Sequence, residues 1–352
     1  MIFFVVPADD AWGIEEYLQQ YGGKLVGRLR VVTYEDIVAQ KALHLGTHIF
    51  SALDRLCPTE REIAARCWDE LASASPGITL INHPTEALLR YELLEACFAL
   101  RRNVFRARRA SALHRRLTFP VFVRPESEHT GSLTRLLHDR RRLILAILRA
   151  LVWGYRLRDL LVVEYCHTAD SAGVFRQYCA TIVGDRIIPQ VLVHNYNWVT
   201  KWEGRLVDAD KAREQLEYVE GDPHAEWLRA TFEQARIRYG RIDYGVKDGM
   251  PQVWEINTNP TIVRRAGNPS TMPAVLRNLI EPVRQRFLQQ FEAALMAIDS
   301  EADPDRTIRI DVPRRLLRTL EAEKRRRRRL ARRRGIARLV AGLAACARRC
   351  WF

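Results

Sequence analysis

RIDYGVKDGMPQVWEINTNP, residues 241–260, is the stretch that decides the fold. Its two halves, RIDYGV and QVWEIN, are rich in β-branched and aromatic residues, and Asp248-Gly249 between them is a typical chain-reversal signal. The stretch therefore predicts a β-hairpin. Because proline cannot donate a hydrogen bond to a strand ladder, Pro251 favours a five-residue loop over 247–251 rather than a two-residue turn.

Polar side chains gather on one face of this predicted hairpin. Since neighbouring side chains of a strand point to opposite faces, Glu255 and Asn257 share one face, while Trp254 and Ile256 occupy the other. A loop with an odd number of residues sets Asp243 directly across from Glu255. Three oxygen-bearing side chains without a cysteine or histidine predict a magnesium site rather than a zinc site. Two surface strands whose polar face meets solvent are the alternative interpretation.

The pattern E-x-N-x-x-P from Glu255 to Pro260, after an upstream strand aspartate, resembles the metal-binding signature of the ATP-grasp superfamily. The resemblance covers roughly residues 82–300. It implies an α+β ATP-grasp fold, in which two α+β subdomains clamp ATP, preceded by a small α/β lobe. It also implies that Asp243, Glu255 and Asn257 bind Mg²⁺.

Two arginines occupy positions at which the superfamily usually has phosphate-binding lysines. Arg90 falls on a predicted helix, and Arg124 ends the predicted strand FPVFV just before a proline. Arginine keeps the charge of lysine but changes the geometry of its phosphate contacts. The polar loop that follows, with His129, Gly131 and Ser132, resembles a shortened form of the loop that closes over the triphosphate.

The segment DLLVVEYCHTAD and the strand after it resemble the nucleotide hinge of the superfamily. The resemblance implies that Glu164, Tyr165 and His167 border the adenine, that Asp170 binds the ribose, and that Arg176 reaches a phosphate. A solvated carboxylate at the end of a strand is the alternative for Glu164. An exposed strand residue is the alternative for Arg176.

The loop TIVRRAGNPSTMP after Pro260 borders the acceptor site in this resemblance. Arg264 or Arg265 would neutralise an acyl phosphate there, and we take Arg265 with Arg124 and Arg176 as the candidate catalytic residues. The activity that the resemblance implies is a Mg-ATP-dependent ligase joining a carboxylate to an amine or thiol through an acyl phosphate. A nucleotide-binding protein without catalysis is one alternative, and an RNA- or membrane-associated protein acting through its basic tail is another.

The C-terminal tail carries almost all of the net charge of +14. From Pro313 onward, fifteen Lys and Arg stand against two Glu, so this segment alone carries +13. A run of like charges repels itself unless it meets an anion. We expect a segment that does not pack, with RNA or an acidic membrane as the partner, or else a disordered solubilising tail.

These patterns predict an α/β lobe over 1–83, an ATP-grasp domain over 84–300 with subdomains 84–165 and 166–300, and an Arg-rich tail over 301–352. The apolar start lacks the basic lead of a secretory signal, and the longest apolar run is too short to span a bilayer. Seven cysteines without repeated spacing predict buried thiols rather than a disulfide framework. A cytoplasmic location is the expectation.

Overall fold

The chain forms two compact units in the computed structural model. The first unit contains Met1–Leu93 and His167–Val312, and the second contains Leu94–Cys166 and Pro313–Phe352. The predicted lobe 1–83 lies wholly within the first unit. The structure describes residues 1–75, 77–113, 116–128, 131–200, 204–265, 274–300 and 305–349, without the side chains of residues 276 and 336–349.

Among the described residues, the first unit contains two four-stranded sheets and a two-stranded sheet, and the second contains a three-stranded sheet. The described strands are β1 (Ile2–Val6), β2 (Leu29–Thr33), β3 (Ala42–His44), β4 (Thr47–Phe50), β5 (Leu80–Ile81), β6 (Ala107–Arg109), β7 (Val121–Pro125), β8 (Leu160–Glu164), β9 (Phe175–Val183), β10 (Arg186–Asn195), β11 (Tyr239–Lys247), β12 (Met250–Asn257) and β13 (Thr307–Arg309). The described helices are α1 (Trp12–Gln20), α2 (Tyr34–Gln40), α3 (Pro58–Ala74), α4 (Arg90–Ala99), α5 (Arg140–Val152), α6 (Ala209–Gly221), α7 (Ala225–Ala235), α8 (Ala274–Ala297) and α9 (Arg314–Arg349).

A parallel sheet of the first unit has the strand order β2-β1-β4-β5. All residues of β1 are buried, as expected of a strand that is covered on both faces. Tyr17 of α1 packs edge-on against Phe291 of α8, with ring centroids 5.1 Å apart, and Phe291 also contacts Tyr239 of β11. One hydrophobic core therefore joins the parallel sheet to the antiparallel sheet of the same unit.

The antiparallel sheet of the first unit has the order β10-β9-β11-β12. Helices α6, α7 and α8 pack against β10. Tyr178 of β9 stacks on Tyr244 of β11 with ring centroids 5.3 Å apart. Tyr178 also packs edge-on against Tyr218 of α6, and the hydroxyl of Tyr244 donates to the hydroxyl of Tyr218. Since neighbouring side chains of a strand point to opposite faces, Gln177 and Asp243 lie on the face away from these rings.

The β11–β12 hairpin turns more tightly than the sequence predicts. Lys247 pairs with Met250, so the loop contains only Asp248 and Gly249, with φ values of 49° and 76°. Positive φ at both positions is typical of a two-residue hairpin turn, for which Asp-Gly is a favoured pair. The predicted five-residue loop is therefore wrong. Pro251 is accommodated within β12 because that strand lies at the edge of the sheet.

A β-bulge nevertheless sets the predicted pair in register. Tyr244 pairs with Val253, but Asp243 pairs with Glu255, so Trp254 is an extra residue in β12. The bulge also turns Trp254 to the face opposite to the one predicted from simple alternation, so that prediction is wrong. A Cβ on Gly245 would lie 2.7 Å from the Trp254 ring, and Gly245 faces the same side as Asp243. The tryptophan ring thus lies on the polar face, beside the carboxylates.

The second unit has a three-stranded antiparallel sheet of order β6-β8-β7, covered by α5. Its core is aliphatic and combines residues of the sheet with one face of α5. The buried members of this core include Val121, Val123, Leu143, Ile147, Ala150, Leu160 and Val162.

The Arg-rich tail is a helix, α9, and not a segment that cannot pack. Leu316 and Leu320 near its start are buried. Further along, Arg334 donates to Glu128 at 2.8 Å and lies over the ring of Tyr155 at 4.2 Å. A helix distributes its arginines around its whole circumference, and arginine is a good helix former, so the charge repulsion is not enough to unfold it.

Five cysteines have described side chains that are buried as thiols, which confirms the expectation for them: Cys57, Cys67, Cys97, Cys166 and Cys179. Burial raises the pKa of the Cys67 thiol to about 12, and burial likewise raises that of Cys97 to about 11. In the described part of the chain, none of the helices has the length and apolar character needed to cross a membrane.

Candidate nucleotide and metal site

Four polar side chains share one face of the β11–β12 hairpin in the first unit. Asp243 pairs directly with Glu255, and Arg241 pairs directly with Asn257. Directly opposed residues of an antiparallel pair project to the same face, and so do residues two apart on one strand. The predicted convergence of Asp243, Glu255 and Asn257 on one face is therefore confirmed, and Arg241 is a fourth member that the sequence interpretation missed.

Asp243 is buried and accepts hydrogen bonds on both carboxylate oxygens. Arg241 donates through Nε to Oδ1 at 2.7 Å and through Nη2 to Oδ2 at 3.1 Å. Gln177 of β9 also donates to Oδ2, at 3.0 Å. Burial alone would lower the pKa of Arg241, but the charge and hydrogen bonds of Asp243 raise it above its usual range. Arg241 is thus a fixed cation on the face that carries the candidate metal ligands.

Glu255 forms a salt bridge with Arg90, the predicted phosphate-binding residue at the start of α4. Only 5% of the Arg90 side chain and 14% of the Glu255 side chain are exposed. The fold therefore brings a predicted phosphate contact and a predicted metal ligand together, although they are far apart in the sequence. Each of the two candidate metal-binding carboxylates has an arginine partner in this structure.

Asn257 is the last residue of β12, and a local turn follows it. Its Oδ1 accepts the backbone N–H of Asn259 at 2.8 Å, and Asn259 in turn donates through Nδ2 to the backbone carbonyl of Asp10 at 3.1 Å. This arrangement is an Asx turn, which fixes the side chain of Asn257. An amide oxygen has two lone pairs, so accepting one hydrogen bond leaves capacity to bind a cation.

The donor set fits a hard cation chemically, since two carboxylates and an amide oxygen are ligands that Mg²⁺ prefers. A cation would compete with Arg90 and Arg241 for the oxygens of Glu255 and Asp243. Among residues with described side chains, no cluster of three or more His, Cys, Asp or Glu is arranged to hold a metal. The site thus depends on the amide of Asn257 as its third ligand.

The predicted ribose and phosphate contacts of the first unit bind each other. Arg176 donates through Nη1 to Asp170 at 2.6 Å and through Nε to Glu214 of α6 at 2.5 Å. Glu214 also accepts from Nε2 of His194 at 2.8 Å. The hydrogen bond from Arg176 lowers the pKa of Asp170, whereas burial lowers the pKa of His194 despite the opposing effect of Glu214. Arg176 is a bridge between two carboxylates and only 29% of its side chain is exposed, so the alternative of an exposed strand residue is wrong.

Two further predicted residues of the first unit lie against aromatic rings. His167 meets Phe175 edge-on at 5.5 Å. Arg265 is exposed, with its guanidinium carbon 6.0 Å from the centre of the Trp12 ring.

Arginines also gather around the predicted acceptor loop. Burial, and after it the charge of Arg264, lowers the pKa of Arg205 to about 10.

In the second unit, Arg124 lies on β7, directly opposite Leu161 of β8. Its Nη2 donates to the backbone carbonyl of Glu128 at 3.4 Å. His129, predicted in the phosphate loop, lies outside the described residues. Arg124 therefore helps to shape the chain that leads into this loop.

The part of the predicted phosphate loop that is described is tied to its own backbone. Ser132 donates from its hydroxyl to the carbonyl of Thr134 at 2.6 Å and accepts the N–H of Thr134 at 3.1 Å. Gly131 has a φ of 93°, a conformation that favours glycine. The hydroxyl of Ser132 thus stabilises the loop itself in this structure.

The predicted hinge residues of the second unit hold neighbouring backbone. The carboxylate of Glu164 accepts the N–H groups of Arg106 at 3.1 Å and Thr118 at 2.8 Å, so it binds neighbouring backbone and not solvent alone. The N–H of Tyr165 donates to the carbonyl of Pro120 at 2.9 Å. Burial, with a smaller contribution from Cys166, raises the pKa of the Tyr165 phenol.

Sequence reasoning missed four residues that the fold brings to these networks: Arg241, Gln177, Glu214 and His194. Arg241 could have been predicted from the sequence, because a residue two positions before a strand aspartate shares its face. Glu214 lies on a helix 38 residues after Arg176, and no local pattern connects the two.

No protein-family model matches the sequence, and no curated protein is significantly similar to it. Several solved structures align with most of the chain. A D-alanine–D-alanine ligase from Bacillus anthracis complexed with ATP shares 15% identity, with 82% of this chain and 99% of that chain covered and a TM-score of 0.43. An L-amino acid ligase from Bacillus licheniformis shares 12% identity over 87% of this chain and 79% of that chain, with a TM-score of 0.46.

A D-alanine–D-alanine ligase from Helicobacter pylori shares 11% identity over 84% of this chain and 98% of that chain, with a TM-score of 0.42. All three alignments span most of this chain. At such identities and TM-scores they establish no activity for this chain, whose function has to be inferred from its own residues.

Proposed function

We propose that this chain is a Mg-ATP-dependent ligase that joins a carboxylate to an amine or thiol. The observation that carries the proposal is the polar face of the β11–β12 hairpin, where Asp243 lies directly across from Glu255 and beside Asn257. When bound, Mg-ATP would supply a phosphoryl group that activates the carboxylate as an acyl phosphate. Phosphoryl transfer needs cations that are held in place in advance. This face provides arginine side chains as cations and oxygen ligands that would hold a metal ion.

The roles follow from the chemistry of each side chain. Asp243, Glu255 and Asn257 would hold Mg²⁺ through hard oxygen atoms. Arg90 and Arg241, once a cation takes their place on the carboxylates, would donate to phosphate oxygens.

Further roles stay predictions from the resemblance. Arg264 or Arg265 would neutralise an acyl phosphate. Arg176 would have to exchange Glu214 or Asp170 for a phosphate. In the second unit, Arg124 and the loop containing Ser132 stay predicted phosphate contacts.

A nucleotide-binding protein without catalysis is the second candidate. The observation that favours it is that arginines already satisfy both carboxylates of the candidate metal site. If this pairing persists when nucleotide binds, Arg90 and Arg241 replace the metal, and binding needs no Mg²⁺. The two candidates thus differ in their metal dependence.

The test combines thermal shift with a turnover assay. Wild type should be stabilised by ATP only when Mg²⁺ is present, and ADP release should require both a carboxylic acid and an amine or thiol. Glu255→Gln should lose the Mg²⁺-dependent shift and the turnover. Asp248→Asn is the matched control, because it makes the same change from carboxylate to amide at the exposed turn of the same hairpin.

Melting temperatures without ligand separate loss of binding from loss of fold, since Glu255→Gln also removes the partner of a buried arginine. ATP binding that ignores Mg²⁺, without turnover on any acid and amine, would favour the second candidate. No stabilisation by ATP with or without Mg²⁺ would reject both.

A further inference from the structure

Helix α5 of the second unit exposes a row of aliphatic side chains. Ile144, Leu145, Leu148 and Val152 are 49%, 66%, 52% and 82% exposed, respectively. With an advance of about 100° per residue, all four lie within an arc of roughly 100° on one side of the helix. Contiguous apolar surface of this kind on a folded protein marks an interaction site.

The opposite side of α5 already has its partner within the unit. Leu143, Ile147 and Ala150 are buried in the core against the β6-β8-β7 sheet. A helix on the surface of a domain normally presents charged or polar residues outward. Helix α5 instead is apolar on both sides. Covering its outer face with a second partner would remove these aliphatic side chains from water.

Arginines border the exposed aliphatic arc. Arg141 lies in the arc itself, one turn before Leu145, and Arg149 lies at its edge. The guanidinium of Arg149 is 4.6 Å above the ring of Trp153, which follows the helix. Aliphatic residues between arginines, with a tryptophan at the end, form the pattern of a helix that lies in a membrane interface.

The charge of the whole unit points to an anionic partner. The second unit contains thirty Lys and Arg against eight Asp and Glu, a net charge of +22, whereas the first unit has −8, which together give the +14 of the chain. A second copy docking through α5 would bring another +22 against this one, which opposes self-association. An anionic surface would be attracted.

We propose that the outer face of α5 docks onto an anionic phospholipid bilayer. Its four exposed aliphatic side chains enter the interface, and the bordering arginines contact lipid headgroups. Nucleic acid is the other polyanion that a +22 unit would attract, but proteins bind unpaired bases through aromatic rings and phosphates through cations. Four aliphatic side chains match acyl chains and not bases, so the observations favour the bilayer.

Vesicle flotation tests this proposal with the full-length protein. Wild type should float with vesicles of phosphatidylcholine and phosphatidylglycerol and stay behind with phosphatidylcholine alone. Leu145→Gln/Leu148→Gln/Val152→Gln should lower the apparent affinity at least about tenfold, because three aliphatic side chains no longer enter the interface. Val26→Gln/Met250→Gln/Val275→Gln is the matched control, since it replaces three exposed aliphatic residues of the first unit in the same way.

Both triple variants must keep the wild-type melting temperature within a few degrees, which all six exposed positions allow. Equal binding by wild type and the α5 variant would overturn the proposal and assign binding to α9 or the residues after it. No binding to anionic vesicles, combined with tight binding to single-stranded RNA, would overturn it in favour of nucleic acid. Dimerisation that the α5 variant abolishes, without vesicle binding, would overturn it in favour of a second copy.

Discussion

In the first unit, the arginines at the candidate site are partnered and largely buried: Arg241 with Asp243, Arg90 with Glu255, and Arg176 with Asp170 and Glu214. In the second unit, thirty Lys and Arg stand against only eight Asp and Glu. The same residue type thus serves two purposes in one chain, and the local supply of carboxylates decides which.

The arginines of the two units are expected to contribute differently to stability and to the binding of anions. A buried ion pair has a desolvation cost that nearly offsets its attraction, so such pairs are weak evidence for stability and better evidence for a positioned site. Exposed arginines contribute little to stability, but together they create a field that attracts anions. We therefore expect single substitutions in the first unit to affect folding and chemistry, and those in the second to affect mainly surface binding.

The largest expected effect is at Asp243. Replacing Asp243 by Ala leaves Arg241 largely buried without its carboxylate, which should lower the free energy of unfolding by about 3–5 kcal/mol. Urea denaturation measures the loss. The double variant Asp243→Leu/Arg241→Met removes both charges and should recover most of it, because apolar residues often replace a buried ion pair without loss. A single variant as stable as wild type would show that the pair is solvated.

A smaller effect should appear on acidification, again in the first unit. His48 is buried between Phe3 and Phe50, and burial lowers its pKa to about 4. Between pH 6.5 and 4 the unfolded chain binds a proton at this residue and the folded chain does not, so stability falls as the pH falls. The slope is up to about 1.4 kcal/mol per pH unit, or about 3 kcal/mol over the window.

The variant His48→Phe isolates this contribution from that of the carboxylates. Because the pKa values of Asp170 and Glu214 are also lowered, they too contribute stability that is lost on acidification. The measurement is therefore the difference in pH dependence of the unfolding free energy between wild type and His48→Phe. Identical slopes in the two proteins would mean that His48 is protonated while folded.

Some features of the candidate site could be predicted from the sequence, and others could not. Strand propensity and Asp248-Gly249 were sufficient to predict the hairpin, and alternation was sufficient to place Glu255 and Asn257 on one face. The opposition of Asp243 and Glu255 was predicted for the wrong reason, because a bulge at Trp254 supplies the odd residue that the loop was expected to supply. A bulge has no local signature here, since the packing of that ring over Gly245 depends on the folded hairpin.

The remaining errors come from contacts between segments that are distant in the chain. The partner of Glu255 is Arg90, 165 residues away, and no spacing rule predicts such a pair. The basic tail was expected not to pack because its charges repel each other locally. The residues that hold Arg334, namely Glu128 and Tyr155, lie far upstream and become relevant only after the second unit has folded.

Arg334 provides a third, smaller test of the comparison, because its guanidinium binds both a carboxylate and an aromatic ring of the second unit. Arg334→Ala should cost about 1–2 kcal/mol of unfolding free energy, through the lost hydrogen bond to Glu128 and the lost contact with the Tyr155 ring. Arg328→Ala, at an exposed position of the same helix, is the control and should change stability by less than about 0.5 kcal/mol. Equal effects of the two substitutions would mean that α9 does not pack through Arg334.

The smallest effects are expected at the start of α5, where a charge pair and a backbone hydrogen bond share one carboxylate. Asp139 accepts the backbone N–H of Arg142 at 2.8 Å as the N-cap of the helix, and it also faces the Arg142 guanidinium at 3.3 Å. Asp139→Ala removes the cap and should cost about 1 kcal/mol. Arg142→Ala removes only an exposed ion pair and should change the unfolding free energy by less than about 0.5 kcal/mol, since the carboxylate keeps its backbone donor and alanine favours the helix. Paired urea titrations decide the order: a larger loss for Arg142→Ala would show that arginine charge stabilises the second unit, and the contrast between the two units would then fail.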